Sequence, residues 1–161
     1  MARYENPVSS QPAFGPGSWV DRAAIGGQDT LLLLARLAIA AIFVQSGFGK
    51  LTDLGGFVTG LEGRGVPLAV VLGPLGAAVE FFGGLALALG AWTRPAAILV
   101  AGFAVAATLI AHRFWDVPAE QQAMQLIQFM KNLAIVGGLL ALVAAGGGRF
   151  SLTALQQRYR S

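Results

Sequence analysis

In a chain of 161 residues, 55% hydrophobic and only 12% charged, there is too little charge to clothe an ordinary soluble domain, in which about a quarter of residues carry one. The net charge of +3 arises from 11 basic and 8 acidic residues, and no basic cluster marks a nucleic-acid surface. There is no cysteine and a single histidine, which excludes disulfides, thiol exchange, thiolate metal sites and a bis-imidazole haem, so redox chemistry would need a bound cofactor, a quinone or a partner protein.

Residues 1–29 are rich in Pro, Gly and Ser and contain no apolar core. They read as a cytoplasmic tail with too little apolar surface to fold alone, in which Phe14 and Trp19 are candidates to lie on a membrane surface. Four apolar runs follow: Leu31–Phe48, Val66–Trp92, Pro95–Ala111 and Met124–Ala145. A hydrocarbon core of ~30 Å takes about 20 helical residues. The runs are continuous rather than alternating, which favours helices over barrel strands. The chain is therefore expected to be all-α, a polytopic membrane protein with a four-helix transmembrane bundle over residues 30–150 and a short basic cytoplasmic tail over 151–161. Arg36 interrupts the first run and no basic stretch leads into it, so that run reads as a retained span rather than a cleaved signal.

Each run carries polar side chains: Arg36 and Gln45 in the first, Glu80 in the second, His112 at the end of the third, Lys131 and Asn132 in the fourth. A charge at the bilayer centre costs about 2.5–3.5 kcal/mol even on lenient scales, so such groups usually face the bundle interior or a water-filled cavity. In the first run Arg36 and Lys50 share a face and Gln45 lies opposite. Pro74 weakens the backbone ladder of the second run. There Gly73, Ala77, Glu80, Gly84, Ala88 and Ala91 recur at helical spacing, a small-residue stripe that lets a neighbouring helix approach. In the third run Ala101, Ala104, Thr108 and His112 share a face.

The fourth run repeats the second, with Lys131, Ala134, Gly138, Ala141 and Ala145 as its stripe and Gln121, Gln125, Gln128 and Asn132 as a polar edge. Lys131 falls at about the depth of Glu80, and an ion pair between them is the expected link. Gly83-Gly84-Leu85 ahead of Arg94, and Gly137-Gly138-Leu139 ahead of Arg149, hint at a parallel internal repeat. If the spans alternate, Arg3, Arg22, Arg94, Arg149, Arg158 and Arg160 lie on one side, and Lys50, Arg64 and Arg113 on the other. The positive-inside rule then places both termini in the cytoplasm.

The segments Arg36 with Phe43-Val44-Gln45-Ser46-Gly47-Phe48-Gly49-Lys50, Glu80-Phe81-Phe82-Gly83-Gly84 with Gly90-Ala91-Trp92-Thr93-Arg94, and Lys131-Asn132-Leu133-Ala134-Ile135-Val136-Gly137-Gly138 followed by Gly148-Arg149-Phe150-Ser151 resemble, in this order, the span patterns of the DoxX family of small four-span bacterial membrane proteins. The resemblance covers Leu31 to about Leu152. It implies a four-helix membrane fold of the bacterial inner membrane. It also implies kinship with a subunit type of thiosulfate:quinone oxidoreductase and with partners of thiol-redox and oxidative-stress systems. Related redox members carry cysteine pairs; this chain has none, so the quinone link carries over better than the sulfur link.

Three functions are in play. The first is an accessory subunit or docking partner of a quinone-linked redox system, without stand-alone catalysis. Its polar centre would bind a quinone or similar small molecule through Glu80, Lys131, Asn132, Gln128, His112 and Arg36. The others are a small proton or solute conductor and a purely structural subunit of a larger complex. For Glu80 and Lys131 the plain alternative is a packing ion pair, for Arg36 snorkelling to head groups, and for His112 an interfacial polar residue. The expected partners are the lipid bilayer, a membrane or peripheral redox protein and further copies of the chain. No resident metal and no nucleic acid are expected.

Overall fold

A computed structural model of the chain describes residues 19–159; residues 1–18, with Phe14 and Arg3, and residues 160–161 lie outside them. The described residues form seven α-helices: α1 (Trp19–Gly26), α2 (Gln28–Thr52), α3 (Leu54–Glu62), α4 (Ala69–Leu89), α5 (Thr93–Ala111), α6 (Ala119–Ala145) and α7 (Leu152–Arg158), with a 3-10 turn at Phe114–Asp116. Helices α2, α4, α5 and α6 are long and apolar enough to cross a membrane. At 1.5 Å per residue even the shortest, α5, is about 28 Å long.

The packing order is a ring. Helix α2 lies against α4, α4 against α5, α5 against α6, and α6 closes on α2. Consequently α4 and α6 stand diagonally opposed. The α2–α4 seam is tight because glycine permits it: a methyl built on Gly47 would lie 2.6 Å from the backbone nitrogen of Phe81, and one on Gly84 would lie 3.1 Å from that of Val44. Gly73, Ala77, Glu80 and Gly84 are all buried on α4, and Ala101, Ala104 and Thr108 on α5, so both expected faces are the packing faces.

In α6 the expected stripe is not the packing face. Lys131, Ala134, Ala141 and Ala145 are exposed, while Leu139 and Leu142 are buried and Asn132, Ile135, Val136 and Val143 half-buried. The larger apolar side chains occupy the bundle core, since burying a branched aliphatic residue removes more apolar surface than burying alanine. Of the small residues in the stripe only Gly138 packs inward, against Ile39. The two Gly-Gly pairs accordingly differ: Gly83 and Gly84 are buried, while a methyl on Gly137 would meet open space.

Helices α1, α3 and α7 fall in segments expected to be tail or loop. Asp53 ends α2 and starts α3, accepting a hydrogen bond from the Gly56 N–H at 3.1 Å, the usual device for an orphan N-terminal donor. Helix α3 then lays Phe57, Val58 and Leu61 on Gly73 of α4. Helix α7 braces the α4–α5 turn, where Gly90 and Trp92 take left-handed backbone angles. Thr153 Oγ1 accepts from the Trp92 N–H (2.9 Å) and donates to the Gly90 carbonyl (3.1 Å). The bundle therefore has a terminal end, with α1, the α4–α5 turn and α7, and a loop end, with α3 and the 3-10 turn.

Candidate functional site

Towards the loop end the four spans part around a cavity of about 200 Å³. Its geometry starts from Lys50, in the last turn of α2 and one helical turn beyond Ser46. The Lys50 ammonium donates to Ser46 Oγ at 2.9 Å and to a Glu80 carboxylate oxygen. Its nitrogen lies 5.4 Å from the ring centre of Phe57 on α3 and 6.0 Å from that of Phe103 on α5, within cation–π range. One ammonium thus touches α2, α3, α4 and α5. The Glu80 side chain is 6% exposed and that of Lys50 27%.

The opposite wall comes from α5 and α6. Asn132 Nδ2 donates to Thr108 Oγ1 (2.8 Å), which donates in turn to the Ala104 carbonyl (2.6 Å). His112 Nδ1 lies 2.9 Å from Gln125 Oε1, so Gln125 fixes the ring. Lys131 lines the cavity with them and makes no ion pair or hydrogen bond among the described residues. Phe43, Phe103, Ala104, Ala107 and Ile135 supply apolar wall between these polar groups.

The structure therefore gathers Glu80, Lys131, Asn132 and His112 around one space, and corrects how they are joined. Glu80 pairs with Lys50, not with Lys131. The reason lies in the ring order: α4 and α6 are diagonal, whereas Lys50 stands just beyond Gly47, where α2 touches α4. Gln128 does not line the cavity; Gln125, one turn earlier, makes the contact with His112. Gln45 is exposed, as its position opposite Arg36 implied.

Arg36 is also elsewhere, ten residues from Ser46 along α2 and so about 15 Å away. It is fully buried and does not snorkel. Its Nη1 donates to the carbonyls of Leu87 (3.2 Å) and Ala88 (3.1 Å), and its Nη2 to that of Phe150 (3.0 Å). Orphan carbonyls at the end of α4 are thereby satisfied, and the segment after α6 is held in place. Arg149 adds a backbone N–H bond (2.7 Å) and an ion pair (3.7 Å) to Asp29.

Lys50 and Ser46 are polar cavity residues that the interruption of apolar runs does not mark. Lys50 ends an apolar run and looks like an interfacial cation; the signal that could have found it is its i, i+4 spacing from Ser46. Chemically, the cavity offers two ammonium groups against one carboxylate, plus amide and imidazole groups. Such a set suits an electron-rich carbonyl or anionic head group as a hydrogen-bond acceptor.

The chain matches the family described as DoxX over residues 31–113 and that described as the SURF4 family over residues 77–159. It is 32% identical over 122 residues to the Escherichia coli (strain K12) inner membrane protein YphA, covering 76% of this chain and 87% of that protein. To the inner membrane protein YqjF of the same strain it is 34% identical over 128 residues, covering 80% and 93%. No solved structure matches it.

Proposed function

The chain belongs to the DoxX family, and from that premise we propose that it is an inner-membrane subunit or docking partner of a quinone-linked redox system, holding a quinone head group in the loop-end cavity. The observation that carries this reading is the enclosure of the Lys50–Glu80 pair, Lys131, Asn132 and His112 around one space between the spans. A quinone presents carbonyl oxygens, which accept from ammonium and amide N–H groups, and its reduction takes up protons that a carboxylate can relay. The quinone supplies the electron chemistry; the chain's residues bind the head group, orient it and hold a proton at the Glu80 carboxyl.

Binding of a short-chain benzoquinone to the purified chain in lipid nanodiscs tests this. Glu80→Gln and Asn132→Leu are each expected to weaken binding about tenfold or more, the equivalent of ~1.4 kcal/mol, with the protein still folded in the disc. Wild-type affinity in both variants would sink the reading.

One observation favours a structural-subunit role beside it. Lys131 is an exposed, unpaired cation near the middle of α6, the span least buried within the bundle, and a carboxylate on a partner's helix would neutralise it. In that case Lys131→Leu lowers assembly with the partner, whereas Asn132→Leu weakens quinone binding and leaves assembly unchanged. A conductor fits less well. Between the cavity and the terminal end lie Leu87, Val100 and Leu139, all fully buried, and Leu142 at 2% exposure, an apolar layer that a charged solute would have to cross.

Topology follows from the same arrangement. Arg22, Arg94, Arg149 and Arg158 lie at the terminal end, while Lys50 turns inward to Glu80 and leaves Arg64 and Arg113 at the loop end. That charge bias supports a cytoplasmic terminal end.

A further inference from the structure

A second cavity of about 480 Å³ opens beside the first, between α3, α4 and α5. The two share Lys50, Phe103, Ala107 and Ala111 as a common wall, so they are adjoining rooms rather than separate sites. Their chemistry differs. Apart from Lys50 and Arg64 at its rim, the second is lined by apolar residues, among them Phe57, Leu61, Leu72 and Ile110. It also opens sideways, because Leu72 and Ala106 of its wall reach the outer surface of the bundle. Size decides what the pair can hold: small-molecule sites run from ~300 to 1,000 Å³. The polar room alone falls below that range, whereas the apolar room lies within it.

We infer that the apolar room between α3, α4 and α5 binds the hydrocarbon chain of a long-chain amphiphile whose head group sits in the polar room, so that the ligand is a prenylated or alkylated quinone-type molecule entering sideways from the bilayer. The inference rests on the proposed head-group site and adds to it a chain site with its own residues. Phe103 and Lys50 mark the neck between the rooms: the ammonium faces the head group, and the two rings beside it face the chain. Gly76 lies against this neck from the apolar side, where an added methyl would meet the Phe103 ring at 3.2 Å.

The test compares two probes on the full-length protein in phosphatidylcholine nanodiscs, with concentrations expressed per mole of lipid. One is a tetrasubstituted benzoquinone with no chain; the other is the same head group carrying a ten-carbon chain. The chain is expected to improve wild-type affinity at least tenfold. Two plugs placed from different walls, Ala106→Phe on α5 and Leu72→Trp on α4, are expected to erase that gain and leave the chainless probe unaffected. Equal affinities for the two probes, or a gain that survives both plugs, would overturn the chain site while leaving the head-group reading intact. Binding of a ten-carbon alcohol that both plugs abolish, with no binding of the chainless quinone, would keep the chain site and remove the quinone reading instead.

Discussion

Removing the Lys50 ammonium would strand the Glu80 carboxylate, which is 5% exposed and has no other hydrogen-bonding partner among the described residues. An unpaired buried charge is far more costly than an absent pair. Lys50→Met alone is therefore expected to destabilise the folded chain, and adding Glu80→Gln should recover much of the loss. In a double-mutant cycle of thermal unfolding in detergent, a coupling of at least ~1 kcal/mol is expected; additive effects would contradict the pair. Arg36 acts at the other end of the bundle. Its three carbonyl acceptors need a planar fork, which lysine lacks. Arg36→Lys should speed hydrogen exchange over residues 149–159 without changing ligand affinity, and an unchanged exchange rate would show that the fork is dispensable. Interruption of apolar runs was enough to mark Glu80, Lys131, His112 and Asn132 in the sequence. It could not separate them from Arg36, because a residue that caps a neighbouring helix and one that lines a cavity interrupt a run alike. Nor could it choose the partner of Glu80, which depends on which helices are adjacent around the ring.

At the scale of the helix, the glycines divide by what lies opposite them. Gly47 faces the backbone of Phe81, which cannot rotate aside as a side-chain tip can. Gly47→Ala must push α2 from α4, an overpacking worth about 1–3 kcal/mol, and it should loosen the Lys50–Glu80 pair one turn away. Gly49, Gly102 and Gly137 have nothing within 4 Å of an added methyl; alanine there should be neutral or stabilising by up to ~1 kcal/mol on helix propensity alone. Melting temperatures of the four variants check the contrast, and a Gly47→Ala protein as stable as Gly137→Ala would contradict the close seam. The four spans were legible because continuous apolar length is a strong signal. Helix α3 was not, because Gly55, Gly56 and Gly60 hide an apolar spacing of Leu54, Phe57, Val58 and Leu61 that matters only when laid on Gly73. The stripe of α4 identified a packing face and the stripe of α6 did not. Small residues permit close approach, but a helix that can offer Leu139 and Leu142 to the core gains more by burying them.

For the molecule as a whole, the two ends do different work. The terminal end is closed by Arg36, by Arg94 donating to the Val143 (3.0 Å) and Ala144 (3.3 Å) carbonyls at the end of α6, and by the Arg149–Asp29 clasp. The loop end holds the cavities and, among the described residues, is covered by α3 and the 3-10 turn, whose Phe114 and Trp115 pack edge-on against Phe129. Because the chain has no cysteine, single cysteines report sidedness cleanly. An impermeant maleimide is expected to label Glu62→Cys in intact cells and Gln157→Cys only after lysis; the reverse pattern would invert the proposed topology.

Native mass spectrometry of the protein, drawn in mild detergent from its own membranes, reads out whether the polar room holds a quinone. A lipid-soluble quinone is expected at one per chain, retained by the wild type and lost from Glu80→Gln. A wild-type protein that carries no quinone, or a Glu80→Gln protein that carries as much, would contradict the quinone reading.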